Sequence, residues 1–237
     1  MQRFQGYRSL MLESRNEILP LGAFSPMGKK QSAYLDSLLE LNAEAVATQA
    51  AECAANRLSN IPGNYRIILV VLDEAKNGWT QRFLTDAEWR FDEKYDIVPS
   101  RQNLGVWITV QLWTDVKATM GYVAYETKAS IFRAIHRSRL GCPANLEEMI
   151  VQEGRAAVFG GKPSELSRDQ LFEANKKVEP YAHCTDKGTC IAVLYGDKIA
   201  DTLGYTPLGF TDFFGFEAGL ANAHLASDIT SELIKCA

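Results

Sequence analysis

Two carboxylates occupy positions where a charge is hard to accommodate. Glu153 lies on the apolar helical stripe formed by Leu146, Met149, Ile150 and Ala157, so a helix that buries this face buries a charge with it. Glu126 shares its stripe with Tyr122, Ala129 and Arg133. If the two approach each other their pKa values separate, which makes Glu126 and Glu153 a candidate catalytic acid/base pair. The plainer alternative is that Glu153 pairs with Arg133, Arg155 or Lys128 and fixes how two helices dock. Tyr122 and Arg133 stand at helical spacing from Glu126, Tyr125 directly precedes it, and the three are the candidate binding residues.

Other chemistry is sparse. His183, Cys184 and Cys190 bring three soft donors into one segment, but no second Cys/His pair completes a tetrahedral site, and no metal or cofactor is expected. Cys184 beside His183 in sequence is not a nucleophile and base facing each other. His136 sits among Arg133, Arg137 and Arg139, which should keep it neutral. Phosphate-loop, dinucleotide and G-x-S-x-G fingerprints are missing from the sequence.

The carboxylates must be positioned by a helix pair running from Val116 to Gly161. Its first half is expected to start behind Thr114 or Asp115 as N-cap, and the pair breaks at Gly141-Cys142-Pro143. The second half opens on Asn145 with Glu148 three residues on, a capping pair, and closes on Gly160 and Gly161. Gly154 in mid-helix signals close approach of another backbone, for which the Val116 helix is the nearest candidate. Upstream, an N-terminal arm of about thirty residues, with a short apolar patch at Ile18 to Leu21, precedes a long helix over Gln31 to Leu58. Tyr65 to Asp73 reads as a strand covered on both faces. Gly105 to Trp113 reads as a strand with Val106, Ile108, Val110 and Leu112 alternating against Trp107, Thr109, Gln111 and Trp113. Between them Trp79, Arg82, Phe83, Trp89, Arg90 and Phe91 either fill space beside the sheet or line a cleft. Downstream come a linker over Lys162 to Ser167, a helix over Asp169 to Val178, and an apolar run within Gly188 to Gly196 that fits strand or helix. A Gly/Pro loop over Leu203 to Phe210 and a final helix from Asp212 complete the chain. The expected fold class is α+β, a small mixed or antiparallel sheet with packing helices and a mostly helical C-terminal part. The chain is expected to form a single domain over 1–237, with possible lobes 1–140 and 141–237.

Tyr125-Glu126-Thr127-Lys128-Ala129, then Arg133, then Gln152-Glu153-Gly154-Arg155-Ala156 resembles the active-site frame of zinc metallopeptidases, in which H-E-x-x-H on one helix is followed by an E-G-x-A segment on the next. The resemblance covers Leu104 to Leu225. It matches Glu126 to the general base and Glu153 to the third ligand, while Tyr125 and Ala129 stand at the two metal-binding histidine positions. It implies a zincin-like two-helix motif that has lost its zinc and serves as a binding or regulatory module for a peptide or protein partner through the former substrate cleft. The alternatives are a metal-independent hydrolase using Glu126 and Glu153, and a structural or interaction protein of unrelated α+β fold.

The bulk properties of the 237 residues agree with an ordinary globular chain: 46% are hydrophobic and 23% charged. A net charge of -4 and a pI near 5.5 provide no global basic field, so nucleic-acid binding is not expected. The sequence holds no apolar run of about 20 residues and no leader pattern at its start, which leaves membrane association unexpected and the cytoplasm as the expected location. The five cysteines, odd in number and widely spread, are expected to be reduced.

Overall fold

A computed structural model describes residues 29–73, 82–92, 106–226 and 228–235. The N-terminal arm with its Ile18 to Leu21 patch, Trp79, Gly105 and Cys236 lie outside the described residues. The elements run in the order α1 (Lys29–Glu40), α2 (Ala43–Arg57), β1 (Tyr65–Leu72), α3 (Arg82–Phe91), β2 (Val106–Trp113), α4 (Met120–Leu140), α5 (Leu146–Gly160), α6 (Arg168–Val178), α7 (Lys187–Tyr195), α8 (Asp197–Thr202), α9 (Phe214–Leu225) and α10 (Ser231–Lys235). The fold is α+β and mostly helical, as the sequence implies.

The sheet differs from the expectation. β1 and β2 pair in parallel, from Tyr65 opposite Val106 to Leu72 opposite Trp113, where a mixed or antiparallel sheet was expected. The physical reason is the connection: the chain between the strands contains α3 and is long enough to cross over, whereas antiparallel neighbours are usually joined by a tight turn. β1 is also less enclosed than its branched apolar run suggests, with Val70 buried and its neighbours half-buried. A branched apolar run does not by itself require cover on both faces. On one face Ile67, Leu69 and Val71 join Val110, Leu112 and Val123 in a core closed by Tyr34 and Leu38 of α1 and by Ala43 and Ala47 of α2.

The helix expected over Gln31 to Leu58 is two helices. Asn42 between them has φ 51°, in the left-handed region that Asn enters more readily than other side-chain-bearing residues, and the apolar spacing simply continues across the break. The start of α4 lies at Met120, with the Thr119 hydroxyl accepting from the Tyr122 amide at 3.1 Å. Thr114 and Asp115 are engaged elsewhere: Thr114 donates to Asp73 at 2.7 Å and Asp115 pairs with Arg82. α5 begins as expected, the Asn145 side chain accepting from the Glu148 amide at 3.0 Å, and it ends on Gly161 at φ 97°.

The undecided run before Gly196 is the buried helix α7, and in place of the expected single final helix the chain has two, α9 ending at Leu225 and α10 starting at Ser231. α8 carries no signal that the sequence reading used. α5 lies antiparallel to α4, with Gly160 against Tyr125 at one end and Glu153 against Arg133 towards the other. Its other neighbour is α9, and this contact explains Gly154. A Cβ there would lie 2.1 Å from the Gly219 carbonyl oxygen, so the close backbone is α9 and not the helix before it. Among the described residues, no helix is long and apolar enough to cross a membrane.

Candidate functional site

β2 alternates, and its two faces meet different surroundings. Ile108, Val110 and Leu112 are buried in the cores, whereas Trp107, Thr109, Gln111 and Trp113 form one wall of a cleft of about 520 Å³. α3 supplies the facing wall and α4 and α5 the floor, with α7 and α9 closing one end. A volume of this size suits a small organic ligand. Glu126, Glu153, Tyr122, Tyr125 and Arg133 all line it, so the sequence-predicted site residues share one space. The aromatic segment before β2 lines the cleft with Arg82, Phe83, Trp89 and Arg90, the less expected of its two readings.

The floor is an ion-pair relay. Glu153, 3% exposed, accepts from Arg133 Nε at both carboxylate oxygens, at 2.9 and 3.0 Å, from Arg90 Nη1, and from Gln152 Nε2 at 3.2 Å. Arg90 Nε donates in turn to Asp86 at 2.8 Å, and the Tyr195 hydroxyl donates to the same Asp86 oxygen at 2.8 Å. Of the partners proposed for Glu153, Arg133 is the one used. Arg155 pairs with Glu232 instead, at 2.6 Å. Burial pushes the Glu153 carboxyl up, but Arg133, Arg90 and the hydrogen bonds together hold it below the ordinary carboxylate range. Both oxygens are therefore charged and occupied, which suits an anchor and not a proton acceptor.

Glu126 is held differently. Among the described residues its ion-pair contact is Arg133 Nη1 at 3.7 Å, longer than a hydrogen bond, and 14% of its side chain is exposed towards the cleft. Burial is the largest influence on it and outweighs the downward pull of Arg133 and Arg90, with Asp86 and Glu153 adding to the rise, so Glu126 takes up a proton above the ordinary range. The two carboxyls thus separate as a pair of unlike environments should. Tyr122 and Tyr125 are raised by burial, Tyr125 to about 12, and both rings remain neutral hydrogen-bonding groups. The Tyr122 hydroxyl accepts from the Trp113 amide at 3.3 Å, tying α4 to the end of β2.

A catalytic zinc does not fit these residues. Ala129 has no donor and is fully buried, and the Tyr125 ring packs so closely on Gly160 that a Cβ there would lie 2.7 Å from it. Glu153 faces Arg133, one helical turn beyond position 129, with its lone pairs already taken. The second candidate, His183 with Cys184 and Cys190, also fails to assemble. His183 has 88% of its side chain exposed, Cys190 is buried with its thiol 3.6 Å from the Cys184 carbonyl oxygen, and no metal-holding group of three donors occurs among the described residues. Cys53, Cys184 and Cys190 are free thiols. His136 is neutral as expected but mainly because it is buried, with Arg155 rather than its sequence neighbours the next cause.

Sequence reasoning missed Asp86, Tyr195 and Gln111. The i,i+4 spacing of Asp86 and Arg90 was available as a signal. Tyr195 was hidden in a run whose helical state was undecided. Gln111 presents a buried amide nitrogen that has no hydrogen-bond partner. Comparison of the chain with protein-family models, with curated proteins and with solved structures finds no match in any of the three.

Proposed function

We propose that this chain is a binding module and that its cleft between α3, β2 and the α4/α5 pair receives a small organic ligand. The observation that carries the reading is the division of labour on the cleft floor. Glu153 is saturated by two guanidinium groups and an amide, which fixes the helices, while Glu126 keeps its oxygens free beside aromatic walls. Such a floor is preorganised, and a ligand entering it displaces water from rings without having to break the buried ion pairs. The resemblance to zinc metallopeptidases belongs to the proposal only as a frame, two packed helices with a carboxylate from each facing one cleft, without the metal chemistry.

Binding is tested by calorimetric titration with a panel of small aromatic acids, amides and amines, comparing the native chain with Thr109→Trp. That substitution fills the cleft from the sheet wall and leaves the ion pairs untouched. The expected result is binding by members of the panel to the native chain and its loss in Thr109→Trp, with stability changed by about 1 kcal/mol or less. Binding that survives the filled cleft, or no binding by any member, overturns the reading.

The separation of the two carboxyl pKa values favours a second reading, a metal-free hydrolase with Glu126 as acid. Glu126→Gln abolishing turnover of an activated ester panel would support it.

A further inference from the structure

The cleft contains donors that the relay leaves without matching acceptors. Arg133 commits Nε to both oxygens of Glu153, which turns the far end of its guanidinium towards Glu126 and stops Nη1 3.7 Å away. Glu126 makes no hydrogen bond among the described residues, so when protonated it offers an O–H into the cleft. On the sheet wall Gln111 Nε2 is buried and unpartnered. An arginine edge, a carboxyl O–H and an amide N–H are complemented by a group that only accepts, and a carboxylate is the planar group of that kind.

The charge count limits the ligand to a single negative charge. With Glu126 neutral, Arg90 and Arg133 are already matched by Asp86 and Glu153, so one ligand carboxylate brings the cluster to the same net negative charge that an ionised Glu126 would give it. A dianion would exceed this balance beside two buried carboxylates. The remaining wall is Trp107, Trp113 and Phe216, which suits a planar ring.

We propose that the cleft selects a small aromatic carboxylate, its carboxylate seated between the Arg133 guanidinium and the Glu126 carboxyl group and its ring against the aromatic wall. The inference rests on the reading of the cleft as a small-ligand site and names the class of ligand. It makes binding depend on a proton. The groups facing Glu126 are Arg133 on its own helix, Glu153 from α5, Arg90 and Asp86 from α3, Tyr34 from α1, and Tyr122 and Tyr125 beside it. Burial among them keeps Glu126 protonated above the ordinary carboxylate range. Affinity is therefore full below the Glu126 pKa and falls as pH rises through it, by up to about tenfold per unit.

The test is calorimetric titration of the full chain with indole-3-propionate and with its neutral amide, at about pH 5.5 and about pH 8. The acid is expected to bind about tenfold tighter than the amide at the lower pH, the yield of one charge-assisted hydrogen bond, with the preference shrinking at the higher pH. In Glu126→Gln the pH dependence of the acid should disappear. Equal affinity of acid and amide at the lower pH overturns this inference and leaves the cleft reading standing; no binding by either also overturns it, and the cleft reading falls with it only when the whole panel fails to bind. A preference for the acid that does not weaken at the higher pH overturns the role of Glu126, and this comparison needs only the native chain.

Discussion

The α4/α5 helix pair buries polar groups on two sides by opposite rules. Towards the cleft, Glu153 is surrounded by donors, and every oxygen it carries is met by Arg133, Arg90 or Gln152. Away from the cleft, His136 is 7% exposed with neither ring nitrogen hydrogen-bonded, and it lies against the ring of Phe132. Where α5 meets α9, Gly154 lets the two backbones approach where no side chain fits. The contrast shows how a charge can be kept inside a small fold: the ionised group needs partners from several elements, whereas the imidazole avoids the problem by staying neutral.

The largest way to break this comparison is Glu153→Ala. It leaves Arg90 and Arg133 facing each other without their shared carboxylate, and a loss of about 4 kcal/mol is expected in urea unfolding. A loss below about 0.5 kcal/mol would mean that the relay does not hold the helices. Gly154→Ala attacks the contact of α5 with α9 by a single methyl group. Because the obstruction is the Gly219 carbonyl and not a flexible side chain, a loss of about 3 kcal/mol is expected, with the cleft's ligand binding retained if the two sides are independent.

Acid separates the two buried groups by the window in which each acts. Burial lowers His136 from 6.5 to about 4, so between these values the unfolded chain binds a proton that the folded chain refuses, and stability complete above 6.5 is lost as pH falls. The loss should reach about 2 kcal/mol and vanish from the difference between pH 7 and pH 4.5 in His136→Leu. Glu153 is lowered from 4.5, so its contribution is present above that value and is lost below it, beneath most of the His136 window. A slope that survives His136→Leu unchanged would assign the acid sensitivity to other groups.

The smallest effect is a control placed on neither side. Ser167 and Gln170 form a reciprocal capping box at the start of α6, and Ser167→Ala should cost about 1 kcal/mol without altering the pH profile. A changed profile would show that the two sides of the helix pair are coupled through the wider fold.

What the sequence determined by itself is what short-range physics writes into it. The Asn145/Glu148 cap, the alternation that sends Trp107, Thr109, Gln111 and Trp113 to one face of β2, and the burial of Glu153 on an apolar stripe all depend on residues a few positions apart. The same reading took Gln31 to Leu58 as one helix because periodicity cannot register a single left-handed Asn42. Tertiary structure alone decided the rest. The parallel direction of β1 and β2 depends on how the chain containing α3 crosses between them, and a strand's apolar pattern is the same in either direction. Arg90 reaches Glu153 across 63 residues, and Tyr195 reaches Asp86 across 109. No spacing rule spans such separations, because the partner of a buried charge is chosen by which helices the packed core brings together.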